Sequence, residues 1–400
     1  MHAQNWIDRG QGAVVNTYAR YPLVVDSGAG CWLTDCNGNR YLDFLAGVAV
    51  NNLGHCHPAV VTALQEQAAK LIHCSNFYHI PNQIELAELL CEHSFGERVF
   101  FCNSGAEANE TAIKLARKYS SEKYSDERTE IISSTNSFHG RTLGTLSATG
   151  QDKIQTGFAP ILPGFRYVPF GDAEALQQAI GPQTCAVLLE PIQGEGGVQV
   201  PPSGYLQAVR QLCDDHNLLL ILDEIQVGMG RTGTLFAYQQ EGIEPDLMTL
   251  AKALAGGAPI GAMVAREPYA ASLAPGSHGS TFGGNPLVTA AGIATLRPLL
   301  HSDILANCQA MGDYLRRGLE RLQQQYSLVS NVRGRGLMLG LDLTCNGSGI
   351  VAAALQRGLL INCTMGKTLR FLPPLIVTQE EIDRMLEILA AIFFTIETGD

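Results

Sequence analysis

Leu218-Leu219-Leu220-Ile221-Leu222-Asp223-Glu224 sets an unbroken apolar run against two adjacent carboxylates. A run with no polar residue for either face cannot be a half-solvated strand. It belongs in a sheet covered on both sides, which is the habit of parallel sheets. Ligands of such sheets sit beyond the carboxyl ends of the strands, so Asp223 is placed at the mouth of a crevice. A buried carboxylate there needs a cationic partner, or it stays neutral at a cost. A protonated pyridine nitrogen, a metal held as by a Walker B acid, and a structural arginine all meet that need. No Gly-x-x-x-x-Gly-Lys-Ser/Thr loop accompanies the strand, which lowers the nucleotide reading.

Working outward, similar runs at 98–102, 130–134, 185–189 and 260–265 read as further strands buried on both faces. Amphipathic stretches at 105–119 and 204–215 lie between some of them. That order implies an α/β fold, a mostly parallel central sheet wrapped by helices. Upstream, residues 1–50 read as an irregular N-terminal arm, with Asp35, Asn37, Gly38 and Asn39 supplying turn chemistry before the apolar stretch Tyr41–Val50. Helical periodicity follows at 58–73 and 82–93, and again at 286–300 and 303–325. Beyond these, 336–343, 350–357, 359–362, 369–371 and 379–397 read as strand, helix, strand, strand, helix, a smaller α+β domain. The expected division is 1–50 as an arm joining the small domain, 51–290 as the large domain and 291–400 as the small one.

Bulk properties narrow the partners. A chain of 400 residues is long enough for one large domain and a smaller companion. Its net charge of -11 argues against nucleic acid and anionic membranes as partners. No run of about 20 apolar residues appears, and the first ten residues carry no secretory pattern. The cysteines number 11, an odd count scattered through a large chain, which fits reduced thiols in a cytoplasm better than a disulfide framework.

Five further stretches carry chemistry. Asn103-Ser104-Gly105-Ala106-Glu107 follows a strand and opens a helix, with Ser104 and Glu107 at capping-box spacing. The freed N–H groups of that turn make an anion site, though a plain helix cap has the same pattern. Lys252 stands alone in Thr249-Leu250-Ala251-Lys252-Ala253-Leu254-Ala255-Gly256-Gly257. Desolvation favours its neutral amine, the nucleophilic form needed for a Schiff base; a lysine snorkelling from a surface helix would read the same. Phe138-His139-Gly140-Arg141 offers a ring to stack and a planar fork for a carboxylate, or a core ring and a surface ion pair. Glu195 sits in a glycine-rich loop, Pro191-Ile192-Gln193-Gly194-Glu195-Gly196-Gly197, and Ser280 and Thr281 offer two hydroxyls in a turn before a helix. His55-Cys56-His57 does not have the spacing of a zinc site, and no metal is expected.

Taken in order, Ser104-Gly105-Ala106, Phe138-His139-Gly140-Arg141, Glu195, Asp223-Glu224-Ile225-Gln226, Lys252 and Ser280-Thr281 resemble the class III aminotransferases, of the pyridoxal-phosphate fold-type I group. Tyr41–Gly47, Leu53–Pro58 and Leu369–Leu375 carry the resemblance further along the chain. The subgroup it looks most like acts on N-acetylornithine. The resemblance implies pyridoxal 5′-phosphate held covalently by Lys252, with its phosphate on Gly105 and Ala106 and Ser104 beside them. Phe138 would stack on the ring. Asp223-Glu224-Ile225-Gln226 would line the cofactor, Asp223 at the pyridinium nitrogen and Gln226 near the ring hydroxyl. Thr281 would reach the phosphate of a neighbouring subunit, so a homodimer is implied. Arg141 would hold the substrate's α-carboxylate, with Ser280 nearby. Glu195 would pair with Arg370 until 2-oxoglutarate claims that arginine. The stretch Ala255-Gly256-Gly257-Ala258-Pro259 departs from the subgroup, which often has a third glycine and a phenylalanine there. Succinylornithine, N-succinyl-diaminopimelate, ornithine and 4-aminobutyrate are alternative donors on the same scaffold, and epimerisation or amino-group migration is a more distant alternative.

Overall fold

The computed structural model describes residues 3–399. Met1, His2 and Asp400, at the ends of the first and last expected domains, lie outside the described residues. The stretch read as an irregular arm is ordered instead. A helix spans Ala3–Ala13, and β1 (Val25–Ala29), β2 (Trp32–Asp35) and β3 (Arg40–Asp43) form an antiparallel ribbon. The turn chemistry itself works as its residues suggest: Asp35 Oδ1 accepts the N–H groups of Asn37 and Asn39 at 2.9 and 2.8 Å, closing the β2–β3 hairpin. The flanking strands escape sequence reading because they are only partly buried and show no clean alternation.

The central sheet has seven strands: β4 (Arg98–Cys102), β5 (Glu130–Ser134), β6 (Phe165–Val168), β7 (Thr184–Leu189), β8 (Leu219–Asp223), β9 (Leu247–Leu250) and β10 (Gly261–Ala265). Their spatial order is β4-β10-β9-β8-β7-β5-β6. The sheet is parallel from β9 to β6, and β10 runs antiparallel to both β9 and β4. Every residue of β7, β8, β9 and β10 is buried, as their apolar runs require. β4 corrects the expectation of burial on both faces: it is an edge strand, buried only at Phe101 and Cys102. β6 and β9 were not legible, because four residues are too few to show a period.

Downstream come β11 (Val329–Arg335), β12 (Met338–Leu343), β13 (Leu359–Leu360), β14 (Asn362–Thr364) and β15 (Thr368–Phe371). The order β11-β12-β15-β14 makes a four-stranded antiparallel sheet. β13 leaves that sheet and pairs in parallel with β3, so the N-terminal ribbon is stitched to the C-terminal part of the chain. The closing helix, Gln379–Thr398, starts on a complete capping box between Thr378 and Glu381.

A buried cation joins these segments. Arg231 is fully buried and has no carboxylate partner among the described residues. Its guanidinium donates to the carbonyls of Leu337 (2.9 Å) and Pro373 (2.5 Å) and to Asn52 Oδ1. Burial pulls its pKa down to about 10. Removing the cation would leave those acceptors dry, because backbone carbonyls cannot be removed with it. Arg231→Met should therefore lower unfolding free energy by about 3 kcal/mol, read as a fall in the urea midpoint at unchanged slope.

Candidate active site

Six of the seven strands deliver chemistry to the same place along one edge of the central sheet. β5 leads to Phe138, β7 to Glu190 and Glu195, β8 ends on Asp223, and β9 leads to Lys252. β4 leads to Ser104, and the antiparallel β10 begins there, with Gly261 opposite Cys102. The result is a cavity of about 440 Å³ whose lining includes Ser104, Gly105, Ala106, Phe138, Arg141, Glu195, Asp223, Ile225, Gln226 and Lys252. Gly257, Ala258 and Pro259, the stretch that departs from the subgroup, line it too.

Asp223 is 3% exposed, and its charge is met by hydrogen bonds. Oδ2 accepts from Asn109 Nδ2 and from His139 Nδ1, both at 2.8 Å, and Oδ1 accepts from the Ile225 N–H at 3.1 Å. Asn109 is fixed in turn: it donates to the His139 carbonyl at 2.8 Å and accepts from Thr249 Oγ1 at 2.7 Å. His139 thus bridges Asp223 through Nδ1 and Ser133 Oγ through Nε2, the latter at 3.2 Å.

At the other end, the helix Gly105–Lys123 begins with Ser104 as its cap, Oγ accepting the Glu107 N–H at 3.2 Å. The capping box read from the sequence is only half present. The Glu107 carboxylate turns to the N–H of Asn103 (2.5 Å) and its side-chain amide (3.2 Å), not to Ser104. The N–H groups of Gly105 and Ala106 donate to no described residue and face the cavity, so the helix start can take an anion there. Glycine at 105 leaves room for Ile225: an added Cβ would lie 2.8 Å from Ile225 Cδ1 and push that side chain aside.

Lys252 follows β9 in a tight turn with φ +41°, a left-handed conformation rarely held by a side-chain-bearing residue outside sites where the surroundings enforce it. Burial lowers its pKa below the ordinary lysine value, opposed in part by Glu195 and Asp223. Across the cavity, Glu195 Oε1 accepts from Arg370 Nη1 at 2.6 Å. Arg370, buried on β15, also donates to Gln226 Oε1 (3.2 Å) and Asn362 Oδ1 (3.2 Å). Burial alone would raise the Glu195 pKa, but Arg370 outweighs it and holds the carboxyl below its usual value. Arg141 is different. It has no hydrogen bond or ion pair to a described residue and lies over the Phe138 ring at 5.5 Å.

Four expected site residues lie off the cavity lining. Arg370 stands behind Glu195. Ser280 accepts from Asn103 Nδ2 (3.2 Å) and from the Gly283 N–H (2.9 Å). Thr281 is exposed on the same loop. Glu224, expected beside the cofactor, points the other way: its carboxylate accepts the N–H groups of Ala237 and Tyr238, both at 2.8 Å. Successive residues at a strand end face opposite sides, so Asp223 and Glu224 cannot share a pocket. Burial pushes Glu224 up to about 7. Asn109, His139 as the partner of Asp223, and Glu190 were not singled out from the sequence. Glu190 was within reach of the same logic as Asp223, since it too is an acid closing a wholly apolar run. Asn109 gives no such signal. His55, noted for its metal-like spacing, pairs with Asp43 at 2.7 Å.

Residues 14–393 match the profile of the family described as Aminotransferase class-III. The chain is 55% identical over 377 residues to an acetylornithine aminotransferase of Caldanaerobacter subterraneus subsp. tengcongensis, covering 94% of this chain and 96% of the relative. It is 52% identical to one from Methanocaldococcus jannaschii, covering 99% and 100%. Among solved structures it is similar to an ornithine aminotransferase from Toxoplasma gondii (TM-score 0.97, 35% identity, 100% and 97% coverage). It also resembles an N-acetylornithine aminotransferase from Stenotrophomonas maltophilia (TM-score 0.85, 42% identity, 98% and 100% coverage).

The lowered pKa of Lys252 has a direct consequence. Its amine stays neutral further down the pH scale than an exposed lysine's, so reductive alkylation of the cofactor-free protein with a small aldehyde at pH 8 should modify Lys252 ahead of exposed Lys70, as read by peptide mapping. Gly105→Ala should displace Ile225 and weaken phosphate binding about tenfold, measured by titration with inorganic phosphate.

Proposed function

The chain belongs to the class III aminotransferases, a pyridoxal-phosphate-dependent family, and from that premise we infer that it transfers the δ-amino group of N2-acetyl-L-ornithine to 2-oxoglutarate, giving N-acetyl-L-glutamate 5-semialdehyde and L-glutamate. The observation that carries this reading is the unequal state of the two arginines: Arg370 is neutralised by Glu195, and Arg141 is free. A donor with one carboxylate at its far end would then meet a single available fork, at Arg141. The names of the relatives support the choice of an acetylated donor.

The residues fit pyridoxal phosphate end to end. Free N–H groups at Gly105 and Ala106 suit its phosphate, Phe138 its ring face, Gln226 its ring hydroxyl, and Asp223 a protonated pyridine nitrogen. Bound there, the group supplies an electron sink for the substrate carbon. Asp223, held in place by Asn109 and His139, would hold the proton of the ring nitrogen. Lys252 would hold the group covalently, and once the donor's amine displaces it, its buried amine would serve as the base and then the acid that moves the substrate carbon's proton. Neutral Lys252 is the competent base, and its burial favours that form. Arg141 orients the donor. In the second half-reaction Glu195 releases Arg370, which receives the α-carboxylate of 2-oxoglutarate.

A homodimer fits the loop at 280–283. Thr281 and Phe282 are exposed there, and Asn76 ties the loop to a segment on which Phe77 is 92% exposed. In the dimer, Thr281 would reach the phosphate of the neighbouring subunit, with Ser280 near the substrate. Among the described residues no helix is long and apolar enough to cross a membrane, and all 11 cysteines are unpaired; a cytoplasmic enzyme is consistent with both.

Three measurements test the reading. Holoenzyme mixed with N-acetylornithine and no keto acid should convert its cofactor to the amino form, followed by absorbance; fast conversion by ornithine but not by the acetylated amine would replace the substrate. Borohydride reduction and peptide mapping should place the cofactor on Lys252. Glu195→Gln should slow the donor half-reaction relative to the keto-acid half-reaction by about tenfold or more, because Arg370 is then free to compete for the donor's carboxylate; an unchanged ratio would refute the exchange of partners.

A further inference from the structure

Glu190 lines the cavity one residue past β7, is 6% exposed, and has no arginine or lysine partner among the described residues. Neither the binding of the cofactor nor the proton transfers proposed above use it. A buried carboxylate without a cation is costly unless its oxygens are met by donors, and the donors here are informative. Oε2 accepts the backbone N–H of Phe138 at 3.1 Å, and Oε1 accepts the backbone N–H of Gly194 at 3.1 Å. One loop carries Phe138 and Arg141. The other carries Glu195, next to Gly194, and is closed on itself by mutual backbone hydrogen bonds of 3.0 Å between Gln193 and Gln199. No other side chain of the described residues accepts from both amides.

We propose that Glu190 is a positioning residue that fastens the Phe138–Arg141 loop to the Glu195 loop, holding the donor-binding and keto-acid-binding groups at a fixed spacing while Glu195 changes partners. This rests on the roles given above to Arg141 and Glu195. The Glu195 side chain must swing off Arg370 for the second substrate, and a loop that drifted with it would not bring the carboxylate back. Anchoring Gly194, the residue before it, lets the side chain move on a still backbone. Burial pushes Glu190 up to about 7, raised further by Asp223 and opposed by His139 and the two N–H groups, so the group is poised between forms and depends on those donors. Both oxygens are needed. A glutamine at this position has one acceptor oxygen, and its NH₂ would face a second donor.

The test compares wild-type, Glu190→Gln and Glu190→Asp holoenzymes by amide hydrogen exchange and by single-turnover rates of the two half-reactions. In Glu190→Gln, peptides covering 136–141 or 193–199 should exchange about tenfold faster, from loss of one hydrogen bond, while a peptide covering 219–223 is unchanged. The ratio of donor to keto-acid half-reaction rates should shift by about fivefold or more. Unchanged exchange in both loops, or an equal fall in both half-reaction rates, overturns the proposal. If the glutamine variant does not fold, Glu190→Asp, with both oxygens on a shorter arm, is judged by the same readouts. A wild-type enzyme that fails to react with N-acetylornithine would refute the substrate assignment instead, and the exchange data would still decide the clamp.

Discussion

A carboxylate buried at the end of an apolar strand stays charged only if donors surround it, and that requirement at Asp223 organises the site. The donors come from Asn109 on the helix after β4, His139 in the loop after β5, and the backbone just past β8. The two side chains are each held by a second bond, Asn109 accepting from Thr249 on β9 and His139 pairing with Ser133 on β5. Satisfying one charge therefore fixes the relative positions of three strands and one helix. Removing a donor would do more than lose a hydrogen bond, because an unsatisfied buried charge carries its full desolvation cost.

The same economy appears where the C-terminal sheet meets the central one. Arg370 on β15 reaches across to Glu195 and Gln226, while Arg231 reaches from the central part of the chain to carbonyls at Leu337 and Pro373. The two arginines differ in what they can do. Arg231 bonds mainly to backbone oxygens that have no alternative, so its role is to hold. Arg370 bonds to a partly exposed carboxylate, the pairing proposed to be exchanged for a ligand's. Lys252 sits in a strained turn, deprived of water but within the influence of Glu195 and Asp223.

The sequence was most readable where one residue type has one use. The buried runs of β7, β8 and β10 could be nothing but interior strands, and the order of Ser104, Phe138, Glu195, Asp223 and Lys252 carried the family. It was least readable where short strands are partly exposed, as in β1 to β3, and where a polar residue works through a distant partner. Glu224 shows the limit in one step. It is as acidic as Asp223 and adjacent to it, yet the pleat turns it to the far side, where it receives the N–H groups of Ala237 and Tyr238.

By itself, the sequence determined five of the sheet's seven strands, its carboxyl edge and the chemical kinds of group that gather there, because burial patterns and glycine positions are local properties of the chain. It could not determine that Glu224 turns away from the cavity, or that Asn109 and Glu190 secure their neighbours. Those depend on atoms brought within about 3 Å of each other from far along the chain, and only the tertiary structure decides which donor meets which acceptor.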